Sequence, residues 1–421
     1  MERLHGLIGV VMILGIAFLF SNNRKKINPR VIISGLALQT LIGFLVFKVQ
    51  AVNTFFTNAG RAMERIEAFA KQGASFVFGG IAATAYTGAV VDYSLPGTFV
   101  FAFNITATII LVTVLVAILY YIGIMQRIVS LIARAMNWVM KVSGAESLSN
   151  VASAFVGQVE AQVMIRPYLA TMTRSELLAS MSGSLACIAG GILIVYANMG
   201  LRAGLNIAPQ LIAASLMAAP GALVIAKIVF PETEESQTMG KVKLEVKSGY
   251  SNLIDAISHG AADGFKIAMN VIAMLIGFIA LIAFLDWSLL KIGHLFNPDF
   301  NLSLNWIFSQ IFYPFAWAMG IPQTDIVNAA TLLGQKITIN EFVAFKSLTD
   351  KTVPILTEKG LTIVTVAICG FANFSSVGMQ IGGIGALAPE RRTDLAKLGM
   401  KALLCGTLAS YLSATIAGML F

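Results

Sequence analysis

The chain has 421 residues, of which 57% are hydrophobic and only 12% charged, and its mean hydropathy is +0.80. No soluble domain of this size needs so many apolar residues, so the composition excludes a soluble protein and indicates an all-α polytopic membrane protein. The formal net charge of +8 does not indicate a nucleic-acid partner, because Lys and Arg fall in short loops between apolar runs, the usual cytoplasmic bias of membrane proteins.

Eight apolar runs are long enough to cross a lipid bilayer as helices, which takes roughly 20 residues each. They lie at about 5–21, 31–49, 98–124, 175–200, 208–230, 262–287, 361–380 and 394–420. The first run has no cleavage site of small residues, so we predict a retained span and not a signal peptide. The longest polar stretch, 231–251, is only a loop, so we expect no soluble domain.

Basic loops set the predicted orientation in the plasma (inner) membrane, because Lys and Arg mark the cytoplasmic side. These residues are Arg24, Lys25, Lys26 and Arg30 after the first run and Arg391, Arg392 and Lys397 around the start of the last. Both termini are therefore predicted outside. Amphipathic helices are predicted on the outer surface at 51–72 and on the inner surface near 125–141.

Two acidic residues, Glu160 and Glu341, lie deep inside apolar, kinked segments, each beside an amide-bearing residue. A carboxylate that faces lipid is costly, so an acid at membrane depth usually faces a cavity and has a function. Simple spans through both acids would break the loop-charge pattern. We therefore predict two re-entrant hairpins, at about 143–172 and 304–347, entering from opposite sides.

The two halves of the chain then match as an inverted repeat, in which a span is followed by a surface helix, a hairpin, a broken span and a span. Such repeats with interrupted helices are typical of secondary transporters. Breaks are expected at Gly183, Gly190 and Gly191 and at FANFSS (371–376). The predicted division is a scaffold at 1–124, a first transport repeat at 125–230, a loop with the sixth span at 231–303, and a second transport repeat at 304–421.

Both hairpins contain side chains that could recognise a polar ligand. Gln158 can donate to and accept from the edge of a planar heteroaromatic ring, and Glu160 can accept two hydrogen bonds or donate one when protonated. The Glu341 carboxylate, beside Asn340, suits a pair of sugar hydroxyls. The alternative for all of them is purely structural: they satisfy exposed backbone groups at the hairpin tips.

Small polar residues mark the break in the seventh span. Asn373 and Ser376 are three residues apart and share one helical face, so they could reach one ligand together. Phe371 could stack on a base, or it could simply pack. The three cysteines and three histidines have no metal-ligand spacing, and neither HExxH nor GxSxG is present, so we expect no cofactor and no enzyme. An intramembrane hydrolase using both glutamates, a channel and a receptor remain alternatives.

At these residues the chain resembles the concentrative nucleoside transporter family, over its whole length. The similarity is most specific at GQVEA (157–161), IRP (165–167), CIAGG (187–191), NEFVA (340–344), FANFSS (371–376) and ATIAG (414–418). The resemblance implies a homotrimer with an elevator mechanism. In it a scaffold holds the trimer, while a transport domain with both hairpins carries a nucleoside across the bilayer.

The resemblance also implies site residues. Gln158, Glu160 and Ile192 would line the base, with Val159 in place of a hydroxyl that can serve it. Glu341, Asn373 and Ser376 would bind the ribose hydroxyls, and Phe371 would sit against the ligand.

Departures from the family pattern bear on the coupling ion. Sodium-coupled members usually have GQTEAP in the first hairpin, an asparagine four residues before its glycine, and a serine on the fourth span. The corresponding residues here are Val159, Gln162, Ser153 and Cys187. Sodium prefers hard oxygen ligands, so the site is degraded, although the backbone carbonyls near Val156 and Ile188 remain.

We therefore predict proton coupling, with sodium coupling as the alternative. Glu160 is the first candidate for the proton site, because a buried carboxylic acid favours its neutral form, and Glu341 is the second. Losing the polar group at Val159, with a bulkier Ile192 where valine is common, tilts the expected preference toward purine nucleosides. Pyrimidine nucleosides and free nucleobases remain alternatives.

Overall fold

The computed structural model describes residues 2–78, 101–238, 250–297, 300–355 and 357–421, and the regular elements of these ranges are helices. The α-helices are α1 (Glu2–Leu19), α2 (Pro29–Lys48), α3 (Gln50–Phe78), α4 (Phe101–Ile122), α5 (Ile124–Met140), α6 (Gly144–Ser153), α7 (Glu160–Met164), α8 (Arg166–Leu169), α9 (Arg174–Ala186), α10 (Gly190–Arg202), α11 (Ala208–Val229), α12 (Leu253–Phe296), α13 (Leu304–Ala318), α14 (Ile326–Thr338), α15 (Glu341–Thr349), α16 (Glu358–Ile368), α17 (Phe374–Leu387) and α18 (Arg392–Leu420). Short 3-10 helices lie at Arg24–Lys26 and Pro389–Arg391.

All eight predicted runs fall on helices or helix pairs, although the start of the run at 98–124 lies outside the described residues. Within the described ranges, five helices have the length and apolar composition to cross a membrane. They are Pro29–Lys48, Arg174–Arg202 (α9 and α10 taken together), Ala208–Val229, Ile279–Phe296 (the last part of α12) and Pro389–Leu420. Shorter apolar helices cover His5–Leu19 and Phe374–Leu387. The all-α polytopic fold is confirmed, and the number of eight spans stays a prediction.

The long helix α12 packs along α4 through glycines. A Cβ atom on Gly264 would lie 2.7 Å from the Ile110 Cα, and one on Gly260 would lie 2.9 Å from the Val114 Cα, so only glycine allows this approach of two backbones. Farther along α12, Phe284 is 61% exposed and Trp287 is 59% exposed. An exposed apolar surface on so long a helix fits contact with lipid.

The amphipathic helix predicted near 125–141 is α5. The chain bends by 77° between α4 and α5 at Gly123, whose φ of 84° lies in the left-handed region. The buried residues Val129, Ala133 and Met136 then recur at helical spacing, and this face packs against α6. The opposite face exposes Trp138. Its location on the inner membrane surface stays a prediction.

Residues 144–169, called the first hairpin from here on, fold back at a tip. A capping box of Ser143 and Glu146 begins α6, and the chain turns at Gly157, where φ is 123°. The residues 326–349 form the second hairpin, in which only Ile339 and Asn340 separate α14 from α15. The predicted segment 304–347 thus contains α13 as a separate helix before this hairpin.

Two broken helices cross at their breaks. The first consists of α9 and α10, the second of α16 and α17. Gly370 in the second break has φ 128°, and a Cβ there would lie 2.4 Å from the Ala186 carbonyl oxygen in the first. The next amide, of Phe371, donates to the Cys187 carbonyl at 3.2 Å. This crossing pairs backbone groups that the breaks leave without helical partners, and it holds α10 and α17 beside the two tips.

A buried ion cluster anchors the base of the first hairpin. The Lys227 ammonium on α11 lies 2.8 Å from the Glu146 carboxylate and 3.1 Å from that of Glu232. It also donates to the Ser175 hydroxyl at 3.0 Å. Buried charges cost desolvation, so such a cluster specifies position more than it adds stability. It ties the hairpin base to α9, α11 and the segment that follows α11.

Candidate binding site between the two hairpins

The Glu341 carboxylate is held at the first turn of α15 by two side chains from other helices. The Tyr196 hydroxyl on α10 donates to its Oε1 at 3.2 Å, and the Asn373 amide donates to its Oε2 at 2.8 Å. Tyr196 stacks on Phe345 with ring centroids 4.3 Å apart, which fixes the donor. Glu341 is 7% exposed and Asn373 1%. The prediction that these two residues meet is therefore consistent with the structure.

This geometry leaves some acceptor capacity on the carboxylate. An ionised carboxylate offers about four lone-pair sites. Tyr196 and Asn373 each use one, on different oxygens, and the backbone of Glu341 itself also donates to the carboxylate. Ser376 adds a further polar group, since its buried Oγ has no hydrogen-bond partner among the described residues. Its backbone N–H donates to the Asn373 Oδ1 at 2.8 Å, which caps α17.

The first hairpin reaches the same helix, one turn farther on. The Gln158 Nε2 lies 3.9 Å from the Met379 sulfur, and Val159 packs so closely on Gly383 that a Cβ there would be 2.7 Å away. The buried Gln158 Oε1 is unpaired within the described part of the chain. Residues 373, 376, 379 and 383 share one face of α17, because three- and four-residue steps return to the same side of a helix. This face lies beneath both tips.

The two glutamates have different electrostatic surroundings. Lys336 on α14 is fully buried, its ammonium has no hydrogen-bond partner in the described ranges, and its positive charge acts on Glu341. Glu160 begins α7 with an exposed side chain, and its carboxylate accepts hydrogen bonds from the backbone of Val159 and Glu160. The charged group that acts on it is another acid, Asp263 of α12, and this influence is weaker than those hydrogen bonds. Of the two acids at the tips, Glu341 is thus the one on which a buried cation acts.

The positions that would hold sodium by resemblance carry poor ligands. Ser153 donates its hydroxyl proton to the Ser149 carbonyl at 2.7 Å and shares a 2.8 Å hydrogen bond with Ser184. Cys187 contributes a buried thiol, and Val159 has no side-chain oxygen. The Ser153 oxygen and the backbone carbonyls near Val156 and Ile188 remain as hard ligands. This donor set is poorer in hard oxygens than the sodium pattern of the family, which disfavours a sodium ion at these positions.

Ile192, in the first turn of α10, and Phe371, in the second break, are both half-buried. The sequence reading missed Tyr196 and Lys336. A lone tyrosine in ILIVYANM could have been noticed, since a buried tyrosine hydroxyl usually needs a partner. Lys336, five residues before Glu341 in an apolar helix, was a similar indication.

A separate cavity of about 280 Å³ lies between α2, α5, α6 and α11. Its lining is almost wholly apolar and includes Leu38, Met136, Phe155 and Leu216. Such a lining offers no set of polar partners to orient a ligand rich in hydroxyl groups. The polar cluster between the hairpins is therefore the candidate site.

Comparisons with known proteins identify the family of the chain. Three family profiles match: "Na+ dependent nucleoside transporter N-terminus" at 8–81, "Nucleoside recognition" at 102–203, and "Na+ dependent nucleoside transporter C-terminus" at 210–418. An uncharacterized transporter of Haemophilus influenzae is 40% identical, with 100% of this chain and 98% of that protein aligned. The nucleoside permease NupC of Helicobacter pylori is 37% identical, with 99% of this chain and 98% of that protein aligned.

A solved structure, of CNTnw in an inward-facing substrate-bound state, superimposes with a TM-score of 0.91 at 38% identity. It covers 100% of this chain and 98% of its own. These relatives are transporters, so the prediction that the chain is not an enzyme is confirmed. The resemblance found in the motifs is confirmed as well, and the chain belongs to the concentrative nucleoside transporter family.

Proposed function

We propose that this chain imports nucleosides by symport with protons and that the candidate site holds one nucleoside between the two hairpin tips. The observation that carries the proposal is the buried Glu341 carboxylate, which Tyr196 and Asn373 hold by one hydrogen bond to each oxygen and which keeps acceptor capacity for a ligand. The hydroxyls of a vicinal diol, such as the ribose 2′- and 3′-hydroxyls, are donors that suit a carboxylate held in this way. Gln158 and Glu160 then face the base, with Ile192 and Phe371 as its apolar neighbours.

Proton coupling is supported by two features. The positions expected to bind sodium carry a serine whose hydroxyl proton is already hydrogen-bonded, a valine and a cysteine. In addition, Glu160 is an exposed acid at the tip of the first hairpin, so it can exchange a proton with its surroundings, and the charged group that acts on it, Asp263, weakly favours its neutral form. Glu341 is the second candidate, because Lys336 already offsets its charge. Sodium coupling is the alternative, since two of the matching family profiles carry "Na+ dependent" in their descriptions.

Purine nucleosides are the proposed preferred substrates, because Val159 offers a base no hydroxyl. The transport domain comprises 125–230 and 304–421, and it moves against a scaffold of 1–124 and the sixth span within 231–303. We propose a homotrimer in the plasma (inner) membrane with both termini outside. The breaks that cross at Gly370 and the Lys227 cluster support a transport domain that moves as one body.

Uptake into proteoliposomes tests the coupling ion. A pH gradient, acidic outside, should drive accumulation of labelled inosine in sodium-free buffer, while a sodium gradient at equal pH should not. Uptake that needs sodium and ignores the pH gradient would refute proton coupling. In the same vesicles, uridine should compete with inosine less well than guanosine does. If uridine competes best, the purine preference is wrong.

A further inference from the structure

Gln162 joins the first hairpin to the first broken helix through both ends of its amide group. The Ser180 hydroxyl donates to the Gln162 Oε1 at 2.7 Å, and the Gln162 Nε2 donates to the Ser184 Oγ at 2.8 Å. Ser180 and Ser184 lie one turn apart on α9, so they face the same side. Gln162 itself is fully buried and follows Glu160 by two residues.

Two serines of α6 close these contacts into a ring. Ser149 donates to the Ser180 Oγ at 2.8 Å. Because the single Ser153 proton goes to the Ser149 carbonyl, Ser184 must donate in the 2.8 Å bond to Ser153. The five side chains of this ring are at most 1% exposed, and they are Ser149, Ser153, Gln162, Ser180 and Ser184. The ring therefore links α6, α7 and α9 without any charged group.

A bound cation and this ring have the same mechanical effect. A cation draws oxygen ligands from several helices to one point, and in doing so it orders them. The Gln162 amide likewise joins two oxygens: its nitrogen donates to the Ser184 hydroxyl and its oxygen accepts from the Ser180 hydroxyl, but the group has no net charge. Ser153, one of the positions associated with sodium, already belongs to the ring. The helices that would share the ion are thus already connected.

We propose that Gln162 is the positioning residue that makes this transporter independent of sodium: its amide group replaces the ion as the link between the two arms of the first hairpin and α9. This inference deepens the proposed proton symport and rests on it. It assigns to Gln162 the placement of Glu160 and Gln158 at the tip, two and four residues away.

The first test uses Gln162→Met, which keeps the length of the side chain and removes the amide, with exposed Gln72→Ala as the matched control. In proton-driven inosine uptake we expect Gln162→Met to raise the KM about tenfold and to lower the thermal unfolding temperature in detergent. The control should match the wild-type protein in both. A Gln162→Met protein with unchanged KM and unfolding temperature would overturn the inference, even if wild-type uptake is proton-driven.

The second test restores the family's sodium pattern with and without Gln162. One protein carries Ser153→Asn, Val159→Thr and Cys187→Ser, and the other adds Gln162→Pro. Only the second should gain an unfolding temperature that rises by about 2 °C or more when choline chloride is replaced by sodium chloride, together with sodium-stimulated uptake. A sodium response in the first protein, or none in a folded second protein, would overturn the inference.

Uptake by the wild-type protein distinguishes a failure of the proposed proton symport from a failure of the proposed role of Gln162. If its own inosine uptake needs sodium, the proposed proton symport fails. If its uptake is proton-driven and the engineered proteins behave alike, only the role of Gln162 fails. Should the protein with four substitutions not fold, Gln162→Met decides alone, because its KM reports the placement of the tip independently of any sodium response.

Discussion

The two hairpins meet over the same face of α17, yet their acidic residues differ in burial, hydrogen bonding and nearby charge. In the second hairpin, Glu341 is buried, receives hydrogen bonds from two side chains of other helices and has Lys336 to offset its charge. In the first, Glu160 is exposed, and its hydrogen bonds come from the backbone of Val159 and of Glu160 itself. The difference indicates two roles: the buried acid held by side chains suits binding of a diol, and the exposed acid suits uptake of a proton.

The amide groups of Asn373 and Gln158 also differ in the hydrogen bonds that they already make. Asn373 is committed on both sides, donating to Glu341 and accepting from the Ser376 N–H. Gln158 has only the Met379 sulfur at 3.9 Å for its nitrogen, and its oxygen is unpaired in the described chain. A sugar pocket that is already organised loses little entropy on binding, whereas the base side keeps free donors and acceptors for its ligand.

The largest effect is expected for Glu160→Gln, which should abolish proton coupling while nucleoside binding and exchange continue. Glu160→Gln keeps a hydrogen-bonding side chain but cannot carry a proton, so accumulation of inosine driven by a pH gradient should be lost. Exchange of labelled for unlabelled inosine across the same vesicles should persist, because exchange needs no net proton movement. Asp263→Asn, which alters the neighbouring acid instead, should still accumulate inosine. Accumulation that survives Glu160→Gln would move the proton site to Glu341.

Glu341→Gln should weaken binding of all ribonucleosides. A hydrogen bond to a charged group is worth about 1.5–3 kcal/mol, so the KM should rise roughly 10- to 100-fold. The discrimination between inosine and its 2′- or 3′-deoxy analogues should shrink at the same time, since the missing hydroxyls no longer meet a carboxylate. The exposed Glu358→Gln on α16 is the control and should leave both quantities unchanged. Normal uptake by Glu341→Gln would count against the assigned ribose site.

Gln158→Leu should have a smaller effect that depends on the base. A neutral hydrogen bond contributes about 0.5–1.5 kcal/mol, so the KM should rise roughly 2- to 10-fold for nucleosides whose base bonds to the amide. Sensitivity to the ribose hydroxyls should stay as in the wild-type protein, which is the reverse of the pattern for Glu341→Gln. Equal losses for every base, or lost ribose discrimination, would contradict the assignment of Gln158 to the base.

Much of this arrangement could be predicted from the sequence, because membrane burial makes polar residues informative. Glu341 and Asn373 stand out in apolar segments, and the structure brings their side chains to 2.8 Å. The contribution of Tyr196 could not be predicted, since its partner lies 145 residues away and depends on how α10 meets α15. The separation of α13 from the second hairpin was missed although the sequence indicates it: Gly320 and Pro322, followed by the polar residues 323–325, lie between α13 and α14.

The ring around Gln162 shows a further limit of sequence reasoning. The sequence indicated that ligands for sodium were lost, which is a statement about single positions. It could not show that Ser149, Ser180 and Ser184 close on Gln162, because serines are common in helices and only packing selects their partners. Loss of one interaction was visible in the sequence, and its replacement became visible only in three dimensions.

The smallest expected effect concerns the base and Val159. This residue lies at the tip, packed on Gly383 of α17, where a Cβ would approach its methyl carbon to 2.7 Å. Val159→Thr keeps the branched shape and adds one hydroxyl, worth about 0.5–1.5 kcal/mol if it meets a pyrimidine base. Competition of uridine against labelled inosine should therefore improve roughly 2- to 10-fold. Val163→Thr, one turn farther along the same helix and 49% exposed, should change nothing. If Val159→Thr leaves the competition of uridine with inosine unaltered, the absence of a hydroxyl at position 159 does not set the base preference. The bulk of Ile192 on α10 is then the remaining candidate.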